Sequence, residues 1–315
     1  MKNRNHPLLV LVLLLTLSSC ASKPTTSTDS VVYGPPPPGT PITQESSPEI
    51  KDSQRGQVGP VTLVLGGAGV SSFATVGILK RFKQEGIRVE RVICTGWPCL
   101  FSLAYGYLKS IHDVEWFSMR LSRDDLYSLG FLESEKDFAK HDRLSKLVKN
   151  SFRPERLEDS KVPIVISAAN TDLGEAEVFD QGSWIKPLLI TMSVPGIYRP
   201  YQVENQGEWI QSLRGLDVEE AVKRDSTTIV AFEMYGDYLQ WLGRSGDPSG
   251  SSETVFRRVY AAQLKRSLSA QIKEANVAGS IQLHRSPTDF SSKRAAILAG
   301  YKEASKVIQS LRNAR

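Results

Sequence analysis

From Val61 onward, apolar positions follow two alternating rhythms. Val61-Thr-Leu-Val-Leu65 is a short, β-branched apolar run that ends in Gly66-Gly67-Ala68-Gly69, predicting a buried strand that enters a glycine loop. Residues 74–85 place Val76, Ile78, Leu79 and Phe82 at helical spacing, and Gly86 can end that helix. The same reading predicts strands over 89–94, 161–169, 175–179 and 227–232, and helices over 100–108 and 183–190. Two long helices are predicted near 253–274 and 291–311. Strands alternating with helices imply an α/β fold, a three-layer sandwich with a mainly parallel central sheet. One domain over 60–315 suits that architecture.

The first 59 residues follow neither rhythm. Lys2 and Arg4 precede ten apolar or near-apolar residues, Leu8 to Leu17. Such a run is too short to span a bilayer, which needs about 20 residues, and it fits the apolar core of an export signal over 1–19. Leu17-Ser18-Ser19-Cys20 resembles the lipobox of bacterial lipoproteins, a resemblance that implies lipidation of Cys20 after cleavage before it. Several acyl chains make a stable anchor where one is marginal. Ala21 is not the Asp that retains many such lipoproteins in the inner membrane, so the resemblance favours the outer membrane. Residues 21–59 are rich in Ser, Thr, Pro and Gly, with Pro35 to Pro38 unbroken, and read as a disordered tether.

Composition adds exclusions. The 315 residues are 40% hydrophobic and 23% charged, which fits a globular domain and excludes collagen-like or wholly disordered chains. Net charge is +5, and it falls to +3 once Lys2 and Arg4 leave with the signal. No basic run interleaves with aromatics, so nucleic acid is not an expected partner. Three cysteines are too few for a disulfide framework.

Three blocks together resemble the patatin-like phospholipase family. The first is Leu65-Gly-Gly-Ala-Gly-Val-Ser-Ser-Phe-Ala-Thr-Val-Gly-Ile-Leu79, similar to that family's glycine-rich oxyanion loop and the helix after it. Val92-Ile-Cys-Thr-Gly-Trp-Pro98 stands where the family has its G-x-S-x-G elbow. The longest block runs through Asn170-Thr-Asp-Leu173, Val178-Phe179, Gly182 and Ser193-Val-Pro-Gly-Ile-Tyr-Arg-Pro200. Gly300-Tyr301 also looks like the final helix of bacterial members. The resemblance implies lipid acyl ester hydrolysis by a Ser–Asp dyad, with glycine-loop amides holding the oxyanion.

Each role then fails when it is carried across. The nucleophile position falls on Gly96, and the elbow's flanking glycines become Cys94 and Pro98. The base position falls on Gln211, a neutral amide that cannot take a proton near neutral pH. The loop's basic residue and the glycine after it fall on Ser71 and Ser72. Loss of a serine nucleophile alone costs on the order of a million-fold in kcat in a serine protease. Gly66, Gly67, Ala68, Gly69, Ser71 and Trp97 remain as a remnant oxyanion loop and pocket.

Other groups are open to more than one reading. Cys94 and Cys99 are buried thiols, a short disulfide or, least in favour, a displaced nucleophile. Ser71, Ser72, Ser102 and Ser193 carry hydroxyls with no base nearby in sequence. Asp172 suits an Asx turn and Asp217 a helix N-cap. His112, His141 and His284 lack metal spacing. Trp116 and Phe117, then Tyr235, Tyr238 and Trp241 with Arg244, are core beneath a loop or contacts to acyl chains, the core reading being preferred. Residues 243–252 have the composition of a loop.

These expectations describe a lipoprotein anchored to the envelope membrane through Cys20, carrying a degenerate patatin-like domain and leaning away from an enzyme. Its role would be to bind a lipid or acyl group in the old pocket or to dock an envelope protein, with no cofactor or metal. The alternative is an active lipid acyl hydrolase with displaced catalytic residues. Whether Trp97 fills the pocket separates ligand binding from docking.

Overall fold

The computed structural model describes residues 58–126, 141–153, 155–226, 228–244 and 251–314. Cys20, the signal, nearly all of the tether and most of the 243–252 loop lie outside them.

Eight strands form one sheet in the order β5-β6-β3-β2-β1-β7-β8, with β4 pairing to β3. In chain order the elements are β1 (Val61–Gly67), α1 (Ala74–Gln84), β2 (Val89–Gly96), α2 (Pro98–Tyr107), α3 (Ile111–Arg120), α4 (Arg123–Leu126) and α5 (Asp142–Ser151). There follow β3 (Ile164–Asn170), β4 (Ala176–Phe179), α6 (Ile185–Thr191), β5 (Tyr201–Val203), β6 (Gly207–Gln211) and α7 (Val218–Lys223). The chain ends with β7 (Ile229–Met234), α8 (Gly236–Arg244), α9 (Ser252–Glu274), β8 (Val277–Ser280) and α10 (Lys293–Asn313).

β1 pairs in parallel with β2 and β7, β2 with β3, and β7 with β8. Every residue of β1 and β3 is buried, so these strands are covered on both faces, as continuous apolar runs in a parallel sheet require. One helical layer packs α1 against α3 and α10; α9 packs with α7 and α8. The fold is thus the α/β sandwich with a mainly parallel sheet that the alternating pattern implies.

Antiparallel pairing is confined to β4, β5 and β6. Its register matters for the site. β2 pairs with the first part of β3, Ile164 to Ser167, and β6 pairs with Ala168, Ala169 and Asn170 just beyond it. That offset carries Gln211, the last residue of β6, to the C-terminal tip of β2, where Gly96 lies.

Candidate functional site

The site is built where strands β1 and β2 end together, since Gly67 is paired with Gly96. β2 runs directly into α2 through Gly96 and Trp97, with Pro98 in the helix's first turn, where its missing N–H costs nothing. Gly96 has φ +73, a left-handed conformation that glycine adopts without steric cost. This is a sharp strand-to-helix turn with no side chain at its apex.

There is also no space for one. A Cβ on Gly96 would lie 2.2 Å from the Gly67 carbonyl oxygen and 3.0 Å from Gln211 Oε1. The Gly67 carbonyl is held there because it accepts the Trp97 N–H at 3.2 Å. The Gly96 N–H donates to Thr191 Oγ1 at 2.8 Å, and that hydroxyl donates in turn to the Ser167 carbonyl at 2.7 Å. In the glycine loop the Val70 N–H donates to the Pro287 carbonyl at 2.7 Å. These three amides, from the elbow and the loop, are therefore committed within the protein.

Gln211 stands beside the empty nucleophile position, as the resemblance implies for a base, and it is fully buried. Its Oε1 accepts from the Tyr235 hydroxyl at 3.2 Å, and its Nε2 donates to the Tyr260 hydroxyl at 3.1 Å. Burial pushes the Tyr235 phenol well up and Tyr260 to about 12, so both stay neutral donors and acceptors. A carboxylate here would sit among neutral phenols in a dry site. The amide satisfies the same two partners without a charge.

Trp97 is completely buried and packs edge-on against Tyr198 and tilted against Phe290, with centroids 6.1 and 6.2 Å away. It is part of the core. Five surface cavities of about 400 to 580 Å³ are lined without Gly96, Trp97 or Gln211.

Cys94 and Cys99 form a disulfide across the elbow. The reading as buried free thiols gives way to the disulfide, and a thiol nucleophile goes with it. Residue 94 ends the straight part of β2 and residue 99 opens α2, and the turn between them brings their Cα atoms to 5.2 Å.

The substitute hydroxyls are each accounted for. Ser71 Oγ donates to Asp237 Oδ2 at 2.6 Å in the buried interior, and Asp237 also accepts from the Leu283 and Arg285 amides. Three donors fix this carboxylate as a clamp between the glycine loop and the segment after β8. Ser102 bonds back to the Pro98 carbonyl within α2. Ser72 is buried, and its hydroxyl finds no partner among the described residues.

Ser193 is the case that sequence separation hid. His141 lies 52 residues away in the chain, yet its Nε2 is 2.7 Å from Ser193 Oγ. That pairing resembles a nucleophile with its base, although Ser193 has a second partner for its hydrogen. Ser193 Oγ also stands 2.9 Å from the Leu189 carbonyl; with its single hydrogen on that carbonyl, His141 Nε2–H is the donor, and the other imidazole tautomer reverses the pair. Burial lowers the His141 pKa to about 4, against which Asp142 acts weakly in the other direction. His112 and His284 are exposed and remain apart from the elbow.

Two expected carboxylate roles are corrected. In the Asn170-Thr-Asp-Leu173 turn the side-chain acceptor is Asn170 Oδ1, which receives the Asp172 and Leu173 amides, while Asp172 instead approaches Gly207. Asp217 does occupy the N-cap position of α7 but makes no capping bond. Gln271 of α9 accepts the Val218 and Glu219 amides in its place. The Asp217 carboxyl turns toward Ser212 and Arg214, and burial raises its pKa.

Of the aromatics, Tyr235 and Tyr238 are buried, Phe117 and Trp241 are half-buried, and Trp116 is exposed beneath the Arg120 guanidinium. The preferred core reading therefore holds for all but Trp116. No helix among the described residues is long and apolar enough to cross a membrane.

No family model matches the chain. Among solved structures it is similar to VipD from Legionella pneumophila, at 10% identity over 81% of this chain and 67% of that one, with a TM-score of 0.42. A superposition this loose transfers no residue role.

Proposed function

We propose that the protein is an exported lipoprotein, anchored to the bacterial envelope through Cys20 with the outer membrane favoured, whose patatin-like domain no longer hydrolyses esters. It works through its surfaces. The observation that carries this reading is the closed elbow: the Gly67 carbonyl occupies the space a nucleophile's Cβ needs at residue 96. Gln211, neutral and committed to two tyrosines, supports the same conclusion from the base position. Trp97 in the core argues for docking over binding an acyl group in the old pocket. The Cys94–Cys99 disulfide supports export, since such bonds persist in oxidising compartments.

A hydrolase with displaced residues is the second reading, and the Ser193–His141 contact is what favours it. The full-length protein treated with a fluorophosphonate probe and with short-chain esters separates the two. Neither labelling nor turnover is expected. Labelling that disappears in Ser193→Ala would overturn the proposal. Native mass spectrometry adds a second arm, because a lipid that co-purifies stoichiometrically would restore the ligand-binding pocket.

A further inference from the structure

Helix α9 has two apolar faces, although packing on a domain requires only one. Thr254, Leu264, Leu268 and Gln271 are buried against the domain. On the opposite side Val255 and Val259, one turn apart, are 52% and 56% exposed, and Phe256 beside them is 69% exposed. Leu213, from the loop after β6, joins Phe256 and Val259 in lining an apolar groove of about 400 Å³.

Charge on this helix is one-sided. It carries Arg257, Arg258, Lys265, Arg266 and Lys273, with Glu253 and Glu274 only at its two ends. Arg257 is committed to Glu253 at 2.6 Å and lies over the Trp241 ring. Arg258, Lys265 and Arg266 are exposed and make no ion pair among the described residues. Helical spacing puts Arg266 on the same outward stripe as Val255 and Val259, and Arg258 and Lys265 along its flank.

We propose that this outward face of α9 seats the domain on an anionic lipid surface. Phe256, Val255 and Val259 enter the boundary between headgroups and acyl chains, while Arg258, Lys265 and Arg266 meet lipid phosphates. Apolar tips bordered by cations on one helix are the interfacial pattern. A fluid bilayer conforms to the exposed tips of Val255, Phe256 and Val259 whatever their relief, where an acidic protein would need a wall shaped to fit them. The inference is independent of the silent elbow and of lipidation at Cys20, since it concerns only where α9 lies.

The test uses the full-length chain carrying Phe256→Trp, read as the added fluorescence over wild type. Vesicles of phosphatidylcholine alone are compared with vesicles containing phosphatidylglycerol, with and without bromine on the acyl chains. An N-terminal anchor would hold the protein to both kinds, but only a seated α9 brings residue 256 within reach of the bromines. The expected result is a blue shift and quenching with the anionic vesicles. Quenching should weaken with salt. Neutralisation to Gln at Arg258, Lys265 and Arg266 should weaken the vesicle affinity read from it by roughly fivefold per cation.

Absence of quenching with anionic vesicles overturns the proposal, as does equal quenching with both vesicle types. A blue shift that grows with protein concentration before vesicles are added would assign the face to a second copy of the chain. A shift produced by soluble polyglutamate and not by vesicles would assign it to an acidic protein. Because residue 256 is exposed, the variant should keep the wild-type Tm; Val259→Trp provides the same reading if it does not.

Discussion

Placing a methyl group at residue 96 tests the closed elbow directly. Gly96→Ala imposes two separable costs. The left-handed backbone at φ +73 strains any residue with a Cβ by roughly 1–2 kcal/mol. The Cβ also overlaps the Gly67 carbonyl, 2.2 Å away and tied to the Trp97 amide, so relief requires strand ends to move apart. Overpacking of this kind costs roughly 1–3 kcal/mol more. The sum is about 2–5 kcal/mol, a large share of the 5–15 kcal/mol that typical domains possess. Gly86→Ala is the control, because Gly86 has φ +67 and a Cβ there meets nothing within 4 Å. It should show the backbone cost alone. Urea denaturation without reductant measures both variants, and at roughly 2–4 °C per kcal/mol the Tm of Gly96→Ala should fall by roughly 4–20 °C. If Gly96→Ala costs no more than Gly86→Ala, the Gly67 carbonyl yields readily. The elbow could then hold a serine, and its closure would no longer argue against chemistry.

Two further outcomes follow from the same region. Replacing Cys94 and Cys99 together by Ser opens a five-residue separation, so unfolding under oxidising conditions should become easier by about 2 kcal/mol; mass analysis of the wild type with and without reductant should show the two-hydrogen difference, and its absence would remove the disulfide. His141 has a folded pKa of about 4 against an ordinary 6.5, so the unfolded chain binds the extra proton first. Its contribution is complete above pH 6.5 and is lost as pH falls toward 4, on the order of 3 kcal/mol, a slope that His141→Gln should flatten in pH-dependent denaturation.

The parallel core was legible because buried strands announce themselves as apolar runs. The predicted strands at 89–94 and 161–169 appear as Val89–Gly96 and Ile164–Asn170, and the two long helices lie within two residues of their expected ends. Elements with mixed composition were not legible. The β5–β6 hairpin and α7 run too short for a period to emerge, whereas α3, α5 and α8 do carry an amphipathic period among many polar residues, and Ser110 and Asp113 form a capping box that marks α3. The pairing of residues 96 and 211 came from motif order, and the register of β6 on β3 supplies its physical cause. Partners such as Thr191, Tyr235 and Tyr260 could not be found that way. They approach the elbow from three elements, and no local pattern links a helix-end threonine to an amide 95 residues before it.

A working acyl-transfer site must keep some polar groups unsatisfied until the transition state supplies the charge they await. Such groups are costly in a folded protein unless water or substrate reaches them. Around Gly96 most of these groups are satisfied from within, the Ser72 hydroxyl excepted. The elbow amides are bonded to Thr191 and Gly67, the Gln211 amide to two tyrosines, and the Ser71 hydroxyl to Asp237. Replacing one catalytic residue would leave its former partners orphaned. Here partners of matching polarity stand at every one of these positions, with a disulfide across the turn. That mutual satisfaction stabilises the domain for the same reason that it withholds the Gly96, Trp97 and Val70 amides from an oxyanion. Placing Ser at 96 and Asp at 211 would therefore have to break contacts as well as supply groups, so the double variant should lose stability without gaining turnover.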